Sequence, residues 1–316
     1  MTTTNDLYVI FGTGPAGLTL AQELLTRGKR VRLINRRGVA PVPDGAELVA
    51  GDAAQLATVR ELAAGATTIY NCTHAPYEQW PEVLPRLQEN FIEGAAAVGA
   101  RLVVIDTLYL YGETHGQPMT EATPHNATSR KGRLRAELAW GYLQADRVGK
   151  VRVAIGRAAD FFGPRTLNSA LGEYVIPAAL AGEPALTLGD IDLPHSYTYM
   201  PDIARALATL GEAEEAVGHD WLLPTLPARS TRPILGTLGE VIGKPVQIAN
   251  VPTMDAARAM GVFDPAFAAE YDELFYQYTE PQIVDSSAFT RAFGNEPTPL
   301  DEALRATVAW YRAQSK

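Results

Sequence analysis

A glycine-rich turn near the start of the chain constrains the fold more than any other feature. Residues 12–17 read GTGPAG, follow an apolar run at Leu7–Phe11 and open an amphipathic stretch at Pro15–Arg27. A G-x-G-x-x-G motif between a strand and a helix is typical of dinucleotide binding, because its glycines permit a tight bend and close approach of pyrophosphate. The alternative is a glycine turn that binds nothing. The residues that we expect to bind a dinucleotide here are Gly12, Gly14, Pro15, Ala16 and Gly17.

Short apolar runs alternate with amphipathic stretches through the first half of the chain. The runs predict strands at Leu7–Phe11, Val31–Ile34, Glu47–Ala50, Thr67–Cys72, Leu102–Asp106 and Val151–Ile155. The stretches predict helices at Pro15–Arg27, Gln55–Ala64, Pro85–Val98 and Ser129–Arg147. Alternation of this kind indicates an α/β fold, in which a Rossmann-type doubly wound parallel sheet carries helices on both faces.

The second half of the chain is richer in proline and predicts a smaller C-terminal substrate-binding part. We expect residues 1–157 and 196–224 to form the NAD(P)-binding Rossmann domain. We expect residues 158–195 and 225–316 to form the substrate-binding domain.

Composition narrows the class of partner. The chain has 27 Lys+Arg against 36 Asp+Glu, a net charge of −9, which disfavours nucleic acid as a partner. Its one cysteine, Cys72, excludes an internal disulfide and a multi-cysteine metal site, so we expect no metal. The N-terminal residues are polar and no apolar run is long enough to span a membrane, so we expect no signal peptide and no membrane contact. We therefore expect a cytoplasmic protein with a small-molecule substrate, and a homodimer is one option for its assembly.

The end of the second predicted strand indicates which dinucleotide binds. An acidic residue there would hold the ribose 2′-hydroxyl of NAD, but this chain has Asn35, Arg36 and Arg37, and arginines can bind a 2′-phosphate. This favours NADP, with NAD as the second option; the alternative is a basic turn in solvent. Asp52 follows the next strand, where it can reach the adenine or serve as a helix N-cap.

Four later segments resemble one family. Residues 104–112 (VIDTLYLYG), 161–164 (FFGP) and 199–206 (YMPDIARA), together with the predicted helix Ser129–Arg147, resemble extended short-chain dehydrogenases/reductases of the NAD-dependent epimerase/dehydratase family. The spacing of the glycines, G-x-G-x-x-G, differs from the family's G-x-x-G-x-x-G and points to an atypical branch.

The resemblance implies a Ser/Thr–Tyr–Lys site, and this chain departs from it. Thr107 matches the Ser/Thr position, but Ser129 stands for the tyrosine and Arg133 for the lysine, while Lys131 is out of register. A serine hydroxyl is too weak an acid to replace the tyrosine, because efficient proton transfer needs a pKa near the working pH. Arg133 can still bind ribose hydroxyls. We therefore expect the site to keep its contact with the cofactor through Arg133 but to lack the family's tyrosine as proton donor.

Two other residues are candidates for the missing acid or base. His74 follows the fourth predicted strand, and histidine titrates in the useful pH range. Tyr109 lies two residues beyond Thr107 and would share its face if the chain stayed extended. The alternative for both is a hydrogen-bonded pocket residue.

An aromatic set is expected to line the substrate pocket. It consists of Tyr77 and Trp80, which follow His74, and of His195 and Tyr197 in the segment that faces substrate in the family. Nucleotide-sugar enzymes of the family often carry an arginine there to hold a diphosphate, whereas this chain has His195. We therefore expect a smaller or more apolar substrate; the alternative is that the aromatics belong to the core.

These features predict an NADP-preferring oxidoreductase or epimerase-like enzyme that acts on a small organic carbonyl or alcohol. One alternative is a non-catalytic NADP-binding sensor or regulatory protein. The other is a nucleotide-sugar epimerase or dehydratase.

Overall fold

The computed structural model describes residues 6–314, so the polar residues 1–5, on which the expectation of no signal peptide partly rests, lie outside it. The strands are β1 (Leu7–Phe11), β2 (Arg30–Asn35), β3 (Glu47–Ala50), β4 (Ala66–Asn71), β5 (Arg101–Asp106), β6 (Val153–Arg157), β7 (Asp160–Phe162), β8 (Ala185–Leu188), β9 (Tyr197–Tyr199), β10 (His219–Leu222) and β11 (Ile248–Val251). The helices are α1 (Pro15–Thr26), α2 (Leu56–Leu62), α3 (Trp80–Val98), α4 (Arg130–Arg147), α5 (Ile176–Ala181), α6 (Met200–Glu212), α7 (Thr231–Ile242), α8 (Met254–Met260), α9 (Pro265–Tyr271), α10 (Ser287–Phe293) and α11 (Leu300–Gln314).

The described chain divides into two compact units. Unit 1 contains residues 6–107, 134–157 and 203–223, and unit 2 contains residues 108–133, 158–202 and 224–314. The division differs from the expected domains chiefly at residues 108–133, which belong to unit 2 although we expected them in the Rossmann domain. This segment leaves the sheet at the end of β5. Within it, the backbone amide of Ala127 donates a hydrogen bond to the carbonyl of Leu110 in the first turn.

Unit 1 is built on a seven-stranded parallel sheet in the order β10-β6-β5-β4-β1-β2-β3. All five residues of β1 are buried, as expected for a central strand covered on both faces. This confirms the predicted doubly wound α/β fold. Strand β10 was not among the predicted strands, because His219 and Asp220 give this short edge strand little apolar signal.

Two boundaries in unit 1 differ from the expected ones in ways that affect the site. Helix α3 begins at Trp80 rather than at Pro85, with Pro81 in its first turn, where a missing N–H costs nothing. Strand β6 runs to Arg157, two residues beyond the expected end at Ile155. This places Arg157 beside Asp106 in the register of the sheet.

Unit 2 contains two short parallel strand pairs, β8 with β11 and β7 with β9. Its helices α5, α7 and α11 pack an apolar core that includes Phe162, Ile176, Leu235 and Leu304. Within residues 6–314, no helix combines the length and the apolar character that crossing a membrane would need.

Candidate functional site

The glycine turn has the close backbone contacts that its sequence predicts. A Cβ on Gly12, whose φ is +113°, would lie 2.2 Å from the Cys72 carbonyl oxygen, and one on Gly17 would lie 2.0 Å from the Gly12 carbonyl oxygen. Gly14 is the N-cap of α1, and apart from its own chain neighbours no described atom lies within 4 Å of the place where its Cβ would stand. No described side chain caps the helix, so its first amides can receive an anion.

Asn35 joins the glycine turn to the turn that follows β2. Its side-chain Nδ2 donates to Thr13 Oγ1 at 2.8 Å. Its side-chain Oδ1 accepts from the backbone amides of Arg37 at 3.0 Å and Gly38 at 2.6 Å. The side chains of Arg36 and Arg37 are exposed, and neither forms an ion pair within residues 6–314. The open Gly14 backbone and the uncapped first amides of α1 fit the pyrophosphate of a dinucleotide, and whether that dinucleotide carries a 2′-phosphate stays a prediction.

Asp52 forms a local turn before α2. Its Oδ1 accepts the amide of Ala54 at 3.0 Å, whereas the N-cap of α2 is Gln55. The N-cap alternative for Asp52 is therefore wrong, because the helix begins several residues later. Contact with adenine stays a prediction.

His74, Tyr77 and Trp80 form an aromatic group after β4. The His74 ring contacts Tyr77 and Trp80 edge-on, with centroids 6.3 Å and 6.2 Å apart, and the guanidinium of Arg135 lies 4.1 Å above the Trp80 ring. His74 keeps much of its surface exposed, and partial loss of water around the imidazole, followed by the positive charge of Arg135, lowers the pKa of His74. His74 is therefore mostly uncharged near pH 7 and suits a base better than an acid. Trp80 is only 1% exposed and donates its indole N–H to the Ala75 carbonyl, so it packs in the interior.

Asp106 organises the end of β5. Its Oδ1 accepts from the Thr107 amide at 2.8 Å and from Arg135 Nη1 at 2.9 Å, and its Oδ2 accepts from Arg157 Nη1 at 2.7 Å. Arg157 also donates to Asp220 at 3.1 Å. Asp106 is thus a paired carboxylate that holds the backbone of Thr107.

The hydroxyl of Thr107 is buried and has no hydrogen-bond partner within the described part of the chain. Buried hydroxyls are nearly always paired in folded proteins, so this oxygen is suited to a partner that the protein does not supply.

In unit 2, Tyr109 does not continue the extended chain of β5. Strand β5 ends at Asp106, and residues Tyr109–Tyr111 form one 3₁₀ turn. The condition on which Tyr109 was expected to share the face of Thr107, an extended chain, is therefore not met, because a turn does not keep the two-residue alternation of a strand. A role for Tyr109 in catalysis stays a prediction.

Ser129 and Arg133 make local bonds at the start of α4. Ser129 Oγ accepts the amide of Gly132 at 3.1 Å, as a helix cap does, and the guanidinium of Arg133 donates to the Thr128 carbonyl. A Cβ on Gly132 would lie 2.5 Å from the Tyr109 carbonyl oxygen, so only glycine permits this approach. The Ser129 hydroxyl thus stabilises the helix end.

Lys131 points toward Glu270 and Glu273 rather than toward Ser129, as its spacing of two residues from Ser129 on the helix predicts. Its side chain is 4% exposed and forms ion pairs with Glu270 and, at 3.0 Å, with Glu273. Glu273 also accepts the backbone amide of Arg130 at 2.6 Å. Burial alone would raise the pKa of Glu273, but the hydrogen bonds from Lys131 and Arg130 lower it. Lys131 therefore anchors the first turn of α4 through its ion pairs.

His195 and Tyr197 have different surroundings. His195 Nε2 lies 3.0 Å from Asp160 Oδ2, which also accepts the Tyr278 hydroxyl at 2.9 Å, and the His195 ring stacks on Tyr278. Tyr197 is buried in the core of unit 2, where its hydroxyl bonds to Thr231 Oγ1 at 2.8 Å. Burial raises the pKa of Tyr197, so it stays protonated and structural.

Sequence reasoning missed several polar residues that tertiary contacts bring to these groups. They are Arg135, Arg157, Asp160, Asp220, Glu270, Glu273 and Tyr278. The one available signal was Asp106, since a carboxylate at the end of a buried strand requires a partner. The sequence could not tell which of its many arginines that partner would be.

The comparisons agree with this fold. A model of the NAD dependent epimerase/dehydratase family matches residues 7–223, so the chain belongs to that family. It is therefore an enzyme of an NAD-dependent family. A comparison with curated protein sequences gave no match.

Solved structures of similar fold include three with informative names. MoeE5 in complex with UDP-glucose and NAD is 21% identical with a TM-score of 0.77, covering 98% of this chain and 100% of that one. UDP-glucuronic acid 4-epimerase from Bacillus cereus is 16% identical with a TM-score of 0.78, covering 98% and 99%. dTDP-glucose 4,6-dehydratase from Bacillus anthracis is 14% identical with a TM-score of 0.76, covering 98% and 97%. At these identities the likeness is one of fold.

Proposed function

We propose that the protein is an NADP-preferring oxidoreductase, or an epimerase-like enzyme, that acts on a small organic carbonyl or alcohol without a tyrosine acid. One observation carries the proposal. The Ser129 hydroxyl caps α4 and the Arg133 guanidinium bonds to a backbone carbonyl, whereas the Thr107 hydroxyl is buried without a described partner. The resemblance aligns Ser129 and Arg133 with the family's tyrosine and lysine.

The dinucleotide would lie on the glycine turn of unit 1. Gly14 and the first amides of α1 would receive its pyrophosphate, and Arg36 with Arg37 would receive the 2′-phosphate. When bound, it supplies or accepts the hydride of the reaction. Ribose contact by Arg133 remains a prediction.

The proposed chemistry at the substrate uses two residues of unit 1. Thr107 Oγ donates a hydrogen bond that orients the substrate oxygen. The imidazole of His74, uncharged near pH 7, accepts the hydroxyl proton of an alcohol at a ring nitrogen, and returns it in the opposite direction. Asp106 holds the Thr107 backbone in place while this happens.

A nucleotide-sugar epimerase or dehydratase is the second candidate, because the solved structures of similar fold bear such names. The charge in unit 2 disfavours it. His195, which replaces the arginine expected to hold a diphosphate, is bound to the Asp160 carboxylate, and a carboxylate repels phosphate.

The test is a substrate panel with NADPH and NADH. Acetophenone and cyclohexanone represent neutral ketones, pyruvate a charged one, and UDP-glucose and dTDP-glucose the nucleotide sugars. We expect NADPH oxidation with a neutral ketone and no change in either nucleotide sugar. Conversion of a nucleotide sugar would establish the second candidate instead, and tight NADPH binding without any turnover would favour the non-catalytic alternative. The cytoplasmic location and the homodimer stay predictions.

A further inference from the structure

Arg135 and Thr107 bond to the same oxygen of Asp106. The side chain of Arg135 is 14% exposed, and its Nη1 donates to the same Asp106 oxygen that accepts the Thr107 amide. Because one oxygen receives both bonds, the Arg135 guanidinium and the Thr107 backbone lie within a few ångströms of each other.

Each of the two residues keeps one buried polar atom without a partner. Thr107 Oγ1 and Arg135 Nε form no hydrogen bond within residues 6–314. Folded proteins retain few such atoms, because burying an unpaired donor is energetically unfavourable. The two residues that carry these unpaired donors both bond to Asp106 through other atoms. This arrangement suits an acceptor that the described residues do not supply.

The guanidinium of Arg135 is held rigidly. One face lies 4.1 Å from the Trp80 ring, and the Asp106 bond fixes its rotation. A donor held in this way loses little freedom when it binds an acceptor, which favours recognition of a single oxygen atom.

The charges around the two donors balance. Arg135 and Arg157 face Asp106 and Asp220, so two positive groups meet two negative ones. A balanced cluster offers little net attraction to an anion. It suits an uncharged oxygen on which negative charge develops during the reaction.

We propose that Arg135 Nε–H and the Thr107 hydroxyl together bind the reacting oxygen of an uncharged carbonyl substrate. The inference rests on the proposed function and names a catalytic residue for it. Arginine stays protonated at working pH, so it stabilises negative charge on the oxygen without giving up a proton. The pair would therefore replace the polarising role of a tyrosine and leave proton transfer to another group.

The kinetic test replaces Arg135 with lysine, which keeps the charge but removes the planar fork and its Nε–H. We expect Arg135→Lys to lower the single-turnover rate with saturating NADPH and a reactive neutral ketone by about 10²–10³-fold, as loss of one such donor does elsewhere. Arg147→Lys, an exposed position in the last turn of α4, is the matched control and should be unchanged. Thermal unfolding of both variants, and of Arg135→Met, separates lost stabilisation from lost folding.

A binding test needs no turnover. The ¹⁵N-labelled Arg135 Nε–H signal, assigned by its absence in Arg135→Lys, should shift when cyclohexanone is added to the protein loaded with NADP⁺. A wild-type rate in folded Arg135→Lys, or an unmoved signal, would overturn the inference while the proposed function stands. If wild type reduced no ketone of the panel, the proposed function would fall, and the cyclohexanone shift would still decide whether the donor pair binds a carbonyl oxygen.

Discussion

The side-chain amide of Asn35 donates a 2.8 Å hydrogen bond to the hydroxyl of Thr13. This bond ties the end of β2 to the glycine turn with an uncharged group, at the place where a carboxylate would repel a 2′-phosphate. The neighbouring guanidinium groups of Arg36 and Arg37 reach solvent.

NADP(H) is therefore expected to bind more tightly than NAD(H). A charge-assisted phosphate contact contributes about 1.5–3 kcal/mol, or roughly ten- to a hundredfold in affinity. Arg36→Ala or Arg37→Ala should remove most of the difference in calorimetric titrations with both cofactors, and Arg86→Ala, an exposed arginine on α3, should not. Equal affinities in the wild type would refute the assignment.

Two glycines of the turn should respond differently to substitution. Gly17→Val forces atoms against the Gly12 carbonyl, so we expect a loss of about 1–3 kcal/mol in unfolding free energy together with weaker NADPH binding. Gly14→Ala meets open space at a φ of −76°, so stability should be unchanged or up to about 1 kcal/mol higher, while NADPH binding weakens. Urea unfolding and calorimetry separate the two effects. Normal NADPH binding by Gly14→Ala would show that no phosphate approaches there.

Ser129 should matter for stability more than for turnover. Its hydroxyl caps α4 through the Gly132 amide, so Ser129→Ala should cost about 1 kcal/mol of unfolding free energy. Ser129→Thr keeps the hydroxyl and serves as the control. Turnover of the alanine variant should fall only modestly, and a complete loss of chemistry with stability intact would contradict our account of the proton path.

The rate of alcohol oxidation should follow the titration of His74. Because the pKa of His74 is lowered, its basic form predominates above that lowered pKa, so the rate should rise as pH rises through it and then become level. His74→Ala should abolish this rise and lower the rate about 10²–10⁴-fold. An NMR titration of the imidazole identifies the group. A profile that keeps its shape in the alanine variant would assign the proton to another residue.

The Lys131 ion pairs should stabilise unit 2 in a pH-dependent way. Lys131→Met leaves Glu270 and Glu273 without their buried cation, which should cost about 1–3 kcal/mol at pH 7. The pKa of Glu273 is lowered in the folded state, so this stabilisation is present above the carboxyl's ordinary pKa and is lost as pH falls through the lowered value. Lys150→Met, which breaks an exposed pair with Glu93, should cost less than about 1 kcal/mol. Similar losses for the two variants in urea unfolding at pH 7 would argue against a special role for Lys131.

The order of strands and helices was readable from the sequence because backbone patterns are local. The buried run of β1 and the glycines that follow it specify the turn without reference to the rest of the chain. The register of Lys131 was likewise readable, since helical spacing alone separates it from Ser129. Tyr109 shows the limit of prediction from local sequence, because no residue near it indicates that β5 ends at Asp106 and that a turn follows.

The sequence by itself thus determined the α/β class and the glycine turn, since each depends on residue identity and on spacings of a few positions, whereas the replacement of the family's tyrosine by Ser129 stays a prediction. The tertiary structure alone decided which side chains surround the candidate groups. Arg135 is 29 residues from Asp106, and Asp160 is 118 residues from Tyr278. A buried charge or polar group requires a partner, and residues so far apart in the sequence become partners only when the chain folds.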